Sequence, residues 1–359
     1  MVITEAAPSV ALHCGALRAE LRPDLGGSLA GLWWDDEPLL RSTPAEQLAG
    51  PRQSAGFAML PYSNRIGHCQ FEWQRQGHRT RPNFGEHPHS LHGVGWQRAW
   101  EVVGRHPKRA ELRLRHQPDA DWPFAFEATQ RFTLLGDALR WDLSLRNTDT
   151  RMQPAGLGWH PYFLHRPGSR LRTQVAGRWD AGADALPRQR VAQGALDAAV
   201  AGLALDHCFD GWSGEAWVED ASHRLHLTAS TWHLVVFTPA GAPHFCVEPV
   251  SHVNNAIQAP DPLAQGLVAL APDQRLEGWM RLQRLPPPMS IDALIAALPV
   301  PPMCWANRRS GTRRSRCCTG WTSRAAACSA TSPPAAATRN GASTPTWAAA
   351  PPPPRATCC

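Results

Sequence analysis

Alternation between apolar and polar positions is the dominant pattern of the chain up to residue 285. Residues 111–115, 139–145 and 224–228 alternate strictly, which is the period of a β-strand with one buried face. Residues 233–238 form a mostly apolar run that indicates a buried strand ending before Pro239. Turn-forming triplets separate such segments, and no long helical period interrupts them. The pattern predicts an all-β domain over residues 1–285, a large antiparallel β-sandwich.

The composition changes after residue 285. Residues 286–359 hold 13 of the 34 prolines, 6 of the 10 cysteines, and 8 arginines against one acidic residue. A short helical pattern covers 289–298, and aliphatic residues almost vanish beyond Pro301. This segment is therefore predicted to be a low-complexity, disordered tail, because it cannot bury enough apolar surface to offset its ordering entropy.

The net charge of +6 belongs to that tail, since residues 1–285 contain 28 basic and 29 acidic side chains. This distribution argues against a basic nucleic-acid-binding domain. A one-base shift of a GC-rich back-translation of 304–312 reads LGEPPLWDP, and the following stretch reads LLYWVDI. These strings resemble the start of a gluconolactonase/regucalcin-like sugar lactonase. One hypothesis is that the tail is a frameshifted neighbouring gene, and the alternative is a genuine basic tail.

Several functional classes are disfavoured by what the sequence lacks. No apolar run approaches the roughly 20 residues of a membrane helix, so no membrane partner is expected. The cysteines before the tail show no CxxC spacing, which favours reduced thiols in a cytoplasmic protein over a disulfide or zinc framework. Neither a GxSxG elbow nor a phosphate-binding GxxxxGK[ST] loop is present.

Polar residues with catalytic potential are concentrated in short segments rich in aromatic residues and glycine. Taken singly, each has a plain structural interpretation: Arg65 as a surface residue, and His160 or Asp206 as turn residues. Glu248 ends an apolar strand, where burying a carboxylate is costly. A metal site is not expected at the histidines of 87–92, because Pro88 and the glycines disrupt any regular ligand face. The segments are Asn64-Arg65-Ile66, Leu91-His92-Gly93, His160-Pro161-Tyr162-Phe163, Asp206-His207-Cys208-Phe209 and Val247-Glu248-Pro249.

The order of these segments resembles the aldose 1-epimerase (galactose mutarotase) family over residues 10–285. The resemblance implies a galactose mutarotase-like β-sandwich with the sugar site on one concave face. It also implies that Glu248 is the general base and His160 the general acid. The remaining matched residues are implied to hold the sugar hydroxyls and ring oxygen, or to position the groups that do: Asn64, Arg65, His92 and Asp206.

Anomer exchange by ring opening needs one base and one acid, so no cofactor and no metal are expected. Partial burial should raise the pKa of Glu248, and a nearby Glu248 or Asp206 should keep His160 protonated. Aromatic rings are candidates for stacking on the sugar, namely Trp96, Trp159 and Tyr162.

Other functions remain open from the residues alone. A hexose-phosphate mutarotase would need more basic groups than Arg65 and Arg98, the two found near the motifs. A non-catalytic sugar-binding protein could use the same fold, although both Glu248 and His160 are present. Nucleic-acid binding would depend on the arginine-rich tail. The expected partner is a small-molecule aldose, bound by a monomer or homodimer.

Overall fold

The computed structural model describes residues 9–286, and β-strands make up most of this part of the chain. The helical elements are single-turn 3-10 helices at Ala45–Gln47, Pro51–Gln53, Gly67–Cys69, Gly95–Gln97, Val200–Gly202 and Ala256–Gln258. The strands are β1 (Val10–Cys14), β2 (Leu17–Arg22), β3 (Ser28–Trp34), β4 (Glu37–Pro38), β5 (Gly56–Met59), β6 (Arg65–Ile66), β7 (Gln70–Trp73), β8 (Gln76–Arg79), β9 (Ser90–Leu91), β10 (Glu101–His106), β11 (Arg109–His116), β12 (Phe126–Leu134), β13 (Ala138–Asn147), β14 (Gln153–Ala155), β15 (Gly158–Leu164), β16 (Arg170–Thr173), β17 (Gly177–Ala181), β18 (Pro187–Ala192), β19 (Leu196–Ala199), β20 (Asp206–Asp210), β21 (Glu215–Glu219), β22 (Arg224–Ala229), β23 (His233–Phe237), β24 (His244–Val250), β25 (Val268–Leu270) and β26 (Arg275–Leu285).

The strands predicted from alternation are confirmed. The segments 111–115, 139–145 and 224–228 lie in β11, β13 and β22, where buried and partly exposed positions alternate. The apolar run of β23 buries three successive residues, as expected for a strand covered on both faces. The intervening triplet at 135–137 forms a tight turn, in which Leu135 N–H donates to the Ala138 carbonyl at 2.7 Å.

Two large antiparallel sheets organise these strands. The first sheet has eleven strands in the order β1-β2-β3-β5-β15-β24-β23-β20-β17-β18, with β4 added beside β3. The second sheet has nine strands in the order β10-β11-β12-β13-β26-β22-β21-β16-β19. The predicted all-β, antiparallel sandwich is therefore confirmed.

The main hydrophobic core contains inward-facing side chains of both sheets. Phe163 and Phe245 of the first sheet stack at 5.7 Å, and Phe132 and Trp141 of the second lie 4.6 Å apart. Burial of each such ring contributes about 2 kcal/mol or more. Trp159 also belongs to this core and is fully buried. Its predicted place against a sugar is therefore wrong, because strand β15 turns that side chain towards the core.

A second apolar cluster covers the opposite face of the first sheet. Successive side chains of a strand point to opposite faces, so Phe57, Tyr162 and Val235 leave the core and meet on this outer face. Trp96, from the loop after β9, joins them. The outer face of β5, β15, β24, β23 and β20 thus carries a packed apolar cluster, beside which polar side chains of the same strands are held.

The predictions for residues 287–359, namely disorder and a frameshift, lie outside the described residues, and the domain boundary at 285 stays a prediction. Within residues 9–286, no helix has the length and apolar character needed to cross a membrane.

Candidate active site

The centre of the site is a buried pair of titratable side chains on neighbouring strands. In the antiparallel ladder of β15 and β24, Gly158 faces Val250 and Tyr162 faces Cys246. This register places His160 opposite Glu248 on the outer face of the sheet. Their closest atoms, His160 Nε2 and Glu248 Oε1, lie 3.4 Å apart, and the two residues are 7% and 2% exposed.

Burial controls the electrostatics of this pair. Desolvation raises the pKa of Glu248 well above its usual value, and the negative charge of Asp206 acts in the same direction. Desolvation also lowers the pKa of His160 to about 3. The expectation that a neighbouring carboxylate keeps His160 protonated is therefore wrong, because the loss of solvation outweighs the attraction. Burial favours a carboxylic acid beside a neutral imidazole, a state in which the pair holds one proton.

Both members of the pair have a polar atom available to another molecule. Glu248 Oε2 and His160 Nδ1 are buried and have no hydrogen-bond partner within residues 9–286. An unpaired buried polar atom costs about 1–3 kcal/mol. These unpaired atoms are explained if a bound molecule supplies their missing hydrogen-bond partners.

Arg65 and Asn64 form the next part of the site, from the loop that enters β6. Arg65 Nη1 donates to Asn64 Oδ1 at 3.1 Å, and its Nη2 donates to Asp206 Oδ2 at 3.2 Å. Asn64 adopts a left-handed backbone conformation with φ of 56°. Its side chain also accepts the Arg65 backbone N–H at 3.0 Å. Asn64 and Asp206 therefore each accept a hydrogen bond from the Arg65 guanidinium and together fix its position.

His92 is held in one orientation by the backbone of Asn64. Asn64 N–H donates to His92 Nδ1 at 3.2 Å, and His92 N–H donates to the Asn64 carbonyl at 2.8 Å. An accepting Nδ1 assigns the proton of the neutral ring to Nε2. Burial lowers the pKa of His92 well below its usual value, with the charges of His160 and Arg65 adding to the effect. His92 is therefore a neutral donor, and its ring lies 5.1 Å from that of His160.

Asp206 lies at the mouth of the site. It is the first residue of β20, two strands away from Glu248, and its side chain is 41% exposed. The other five predicted residues are each less than a tenth exposed. The structure therefore brings all six sequence-predicted residues to one site, with Asp206 at its exposed edge.

Aromatic rings pack around His160. Phe57 stacks on His160 at 4.6 Å, and Trp96 stacks on the other side of Phe57 at 5.4 Å. Tyr162 lies 4.6 Å from the His160 ring. Phe57 directly faces His160 in the β5–β15 ladder, a relation that no local sequence pattern reveals. These rings reduce the solvation of His160, which contributes to its lowered pKa.

Two arginines missed by sequence reasoning also lie beside the site. The guanidinium of Arg41 covers the Tyr162 ring at 3.6 Å, and that of Arg52 covers the Phe84 ring at 4.1 Å. Neither forms a salt bridge in the part of the chain that the structure describes. Arg98, which the sequence placed near the motifs, instead pairs with Asp119 and Asp121. Both arginines precede the first motif in the sequence, so only their positions in the folded structure reveal that they lie beside the site.

The sequence and the fold are similar to those of known proteins. The sequence model of the aldose 1-epimerase family matches residues 11–283. The chain belongs to the aldose 1-epimerase family. The curated relative YphB of Escherichia coli K12, described as uncharacterized, is 29% identical over 295 residues, which cover 76% of this chain and 97% of YphB.

Solved structures of other aldose 1-epimerase-like proteins share the fold. One from Escherichia coli K12, described as a candidate aldose 1-epimerase, has 26% identity and a TM-score of 0.70, and the match covers 77% of this chain and 99% of that one. A galactose mutarotase-like protein from Clostridium acetobutylicum has 19% identity and a TM-score of 0.68, with 77% and 95% covered. A galactose 1-epimerase from Lactobacillus acidophilus has 14% identity and a TM-score of 0.62, with 76% and 92% covered. The family resemblance drawn from the motifs is confirmed.

Proposed function

We propose that the protein is an aldose 1-epimerase that interconverts the α and β anomers of a free aldose. The observation that carries this proposal is the buried cross-strand pair of Glu248 and His160, in which Glu248 Oε2 and His160 Nδ1 lack partners among the described residues. In this proposal Glu248 is the general base and His160 the general acid. Membership of the family supports the reaction class.

The proton balance of the reaction suits this environment. Glu248, as a carboxylate, removes the proton of the anomeric hydroxyl, while His160, as an imidazolium, protonates the ring oxygen. The C1–O5 bond breaks, the C1=O double bond forms, and the pair is left as a carboxylic acid and a neutral imidazole. This is the protonation state that burial favours, so desolvation lowers the free energy of the ring-opened state relative to the charged pair. Rotation about C1–C2 and reversal of the transfers give the other anomer.

The other four residues are assigned to sugar binding. The Nε2–H of His92 is a neutral donor for a sugar oxygen. Arg65 can donate from its Nε, which is buried and unpartnered within residues 9–286. Asp206 can accept from hydroxyl groups at the mouth, and Asn64 holds both Arg65 and His92 in place. Fixed donors and acceptors of this kind orient the anomeric carbon against the pair.

Polarimetry tests the proposal directly. Freshly dissolved α-glucose, α-galactose and L-arabinose are followed with and without the protein. The expected result is a faster approach to anomeric equilibrium for at least one aldose, at an unchanged equilibrium rotation. Sugar binding without any acceleration would instead support a non-catalytic sugar-binding protein.

A hexose phosphate is a second candidate substrate, favoured by Arg41 and Arg52. Arg41 covers the Tyr162 ring, which lies 4.6 Å from the His160 ring. Arg52 covers the Phe84 ring, which lies 6.1 Å from the His92 ring. Arginine without a carboxylate partner is suited to binding phosphate. If a phosphate is bound here, Arg52→Gln raises the KM for a hexose 6-phosphate but not for the free hexose. The exposed Arg75→Gln is the matched control, and equal effects on both substrates would exclude this candidate.

We also propose that residues 1–285 carry the activity. A chain truncated after Leu285 is expected to retain mutarotation at the full-length rate. Loss of mutarotation on truncation would contradict this boundary. Any nucleic-acid binding by the full chain should disappear with the tail.

A further inference from the structure

A third side chain, that of Cys246, lies beside Glu248 and His160. The thiol of Cys246 is two residues before Glu248 on β24, so both side chains lie on the outer face. One ligand atom each of His160, Cys246 and Glu248 lies within 4.8 Å of the other two. The three residues form a compact set of one nitrogen, one sulfur and one oxygen donor, called the NSO cluster below.

The NSO cluster has the composition of a zinc site. Zn²⁺ is bound by imidazole nitrogen, thiolate sulfur and carboxylate oxygen at about 2.0–2.3 Å, which sets tetrahedral ligand atoms about 3.3–3.6 Å apart. The Nε2–Oε1 distance of 3.4 Å already matches this spacing. The other ligand atoms lie within 4.8 Å of one another, so binding needs them to approach by at most about 1.5 Å.

We propose that the NSO cluster binds Zn²⁺ or a similar thiophilic divalent cation, and that this ion inhibits the protein by occupying the catalytic pair. A fourth ligand position remains open to water, as in three-residue zinc sites. The inhibitory effect rests on the proposed mutarotase function, whereas metal binding itself does not.

Charge balance supports the proposal. Cys246 and Glu248 are both buried on the same sheet face, where two neighbouring anions without a counter-charge are unfavourable. A divalent cation neutralises a thiolate and a carboxylate together. Coordination through both carboxylate oxygens would also give a partner to Glu248 Oε2, which has none within residues 9–286.

Metal and sugar should compete for the same groups. If Glu248 and His160 are coordinated to a metal, neither can transfer a proton to or from the anomeric centre. Inhibition should therefore be relieved by high aldose concentration and by a chelator.

Two measurements on the full-length protein test the inference. Direct binding is followed by adding Co²⁺ and recording the thiolate-to-metal charge-transfer absorption in the near ultraviolet, which needs no catalytic activity. Inhibition is followed by polarimetry during a Zn²⁺ titration, with Mg²⁺ as the comparison ion, because this hard cation prefers oxygen ligands.

Variants of Cys246 identify the ligand. Cys246→Ala, with Cys246→Ser as the isosteric alternative, should retain mutarotation but lose the charge-transfer band, and half-inhibition should need at least about tenfold more Zn²⁺. Cys208→Ala is the matched control, because Cys208 is another buried thiol of the same sheet face, outside the cluster. It should keep both the band and the Zn²⁺ sensitivity.

The outcomes separate the two claims. A charge-transfer band that depends on Cys246, in a protein without mutarotase activity, would support the metal site and overturn the proposed function. No band in the wild type, or equal Zn²⁺ sensitivity in wild type and Cys246→Ala, would overturn the metal site. Inhibition by Mg²⁺ at the same concentration as Zn²⁺ would also overturn it.

Discussion

His252 supports the loop that carries Asn64 and Arg65, and its titration should make stability depend on pH. It is 2% exposed, and its Nε2 accepts the backbone N–H of Ser63 at 3.1 Å. Its Nδ1–H donates to the Val253 carbonyl at 2.8 Å. Ser63 directly precedes Asn64 and Arg65, so a neutral His252 holds the start of that loop. A protonated ring would lose the Ser63 bond, because Nε2 would then carry a hydrogen facing another donor.

The magnitude follows from the shifted pKa. Burial lowers the pKa of His252 from 6.5 to about 4. Between these values the unfolded chain binds a proton that the folded protein does not, so stability is complete above pH 6.5 and falls as the pH decreases. The loss is about 1.4 kcal/mol per pH unit, which amounts to about 2 kcal/mol between pH 6.5 and pH 5.

Urea unfolding followed by tryptophan fluorescence, repeated across this pH range, measures the effect. His252→Gln keeps an acceptor for Ser63 N–H but does not titrate, so its free energy of unfolding should fall by about 2 kcal/mol less than that of the wild type. Contributions of other titrating groups cancel in this difference. Parallel pH profiles for wild type and His252→Gln would refute the reasoning.

Two further predictions concern the mouth of the site and its backbone. Asp206→Asn should raise the KM for the aldose by about tenfold or more, with a smaller change in kcat, because a charged acceptor for sugar and for Arg65 is lost. A kcat loss at unchanged KM in steady-state polarimetry would contradict this role. Gly93→Ala should lower stability by about 3 kcal/mol, because φ is +68° and the added Cβ would lie 2.0 Å from the Leu60 carbonyl oxygen. Gly85→Ala has a similar φ of +60° in open space and should cost only about 1 kcal/mol, so equal melting temperatures for the two variants would be a contrary result.

The strands could be predicted from the sequence because their signal is local. Apolar and polar residues alternate along β13 and β22, and buried and partly exposed side chains alternate in the same way in the structure. The six site residues could be named because the order of their motifs matches a known family. The fold then brings these distant motifs together: Glu248 and His160 lie on adjacent strands although 88 positions separate them in the sequence.

Other features of the site could not be predicted, because they depend on contacts between distant segments. Phe57 meets His160 through a strand pairing, and Arg41 reaches the site by covering the Tyr162 ring. The sequence predicts a protonated His160, whereas burial lowers its pKa, because the sequence indicates nearby charges but not the extent of burial. The Cys246 thiol was counted among scattered cysteines, and only the fold places it beside the pair.

The central claim is that Glu248 transfers protons in anomer exchange. It is tested most directly by comparing wild type and Glu248→Gln in magnetisation-exchange NMR between the two anomeric protons of the preferred aldose, together with a sugar-binding titration. Glu248→Gln should reduce the exchange rate by at least about 100-fold and leave the dissociation constant within a fewfold of the wild type. Wild-type exchange in the Glu248→Gln protein would contradict the account.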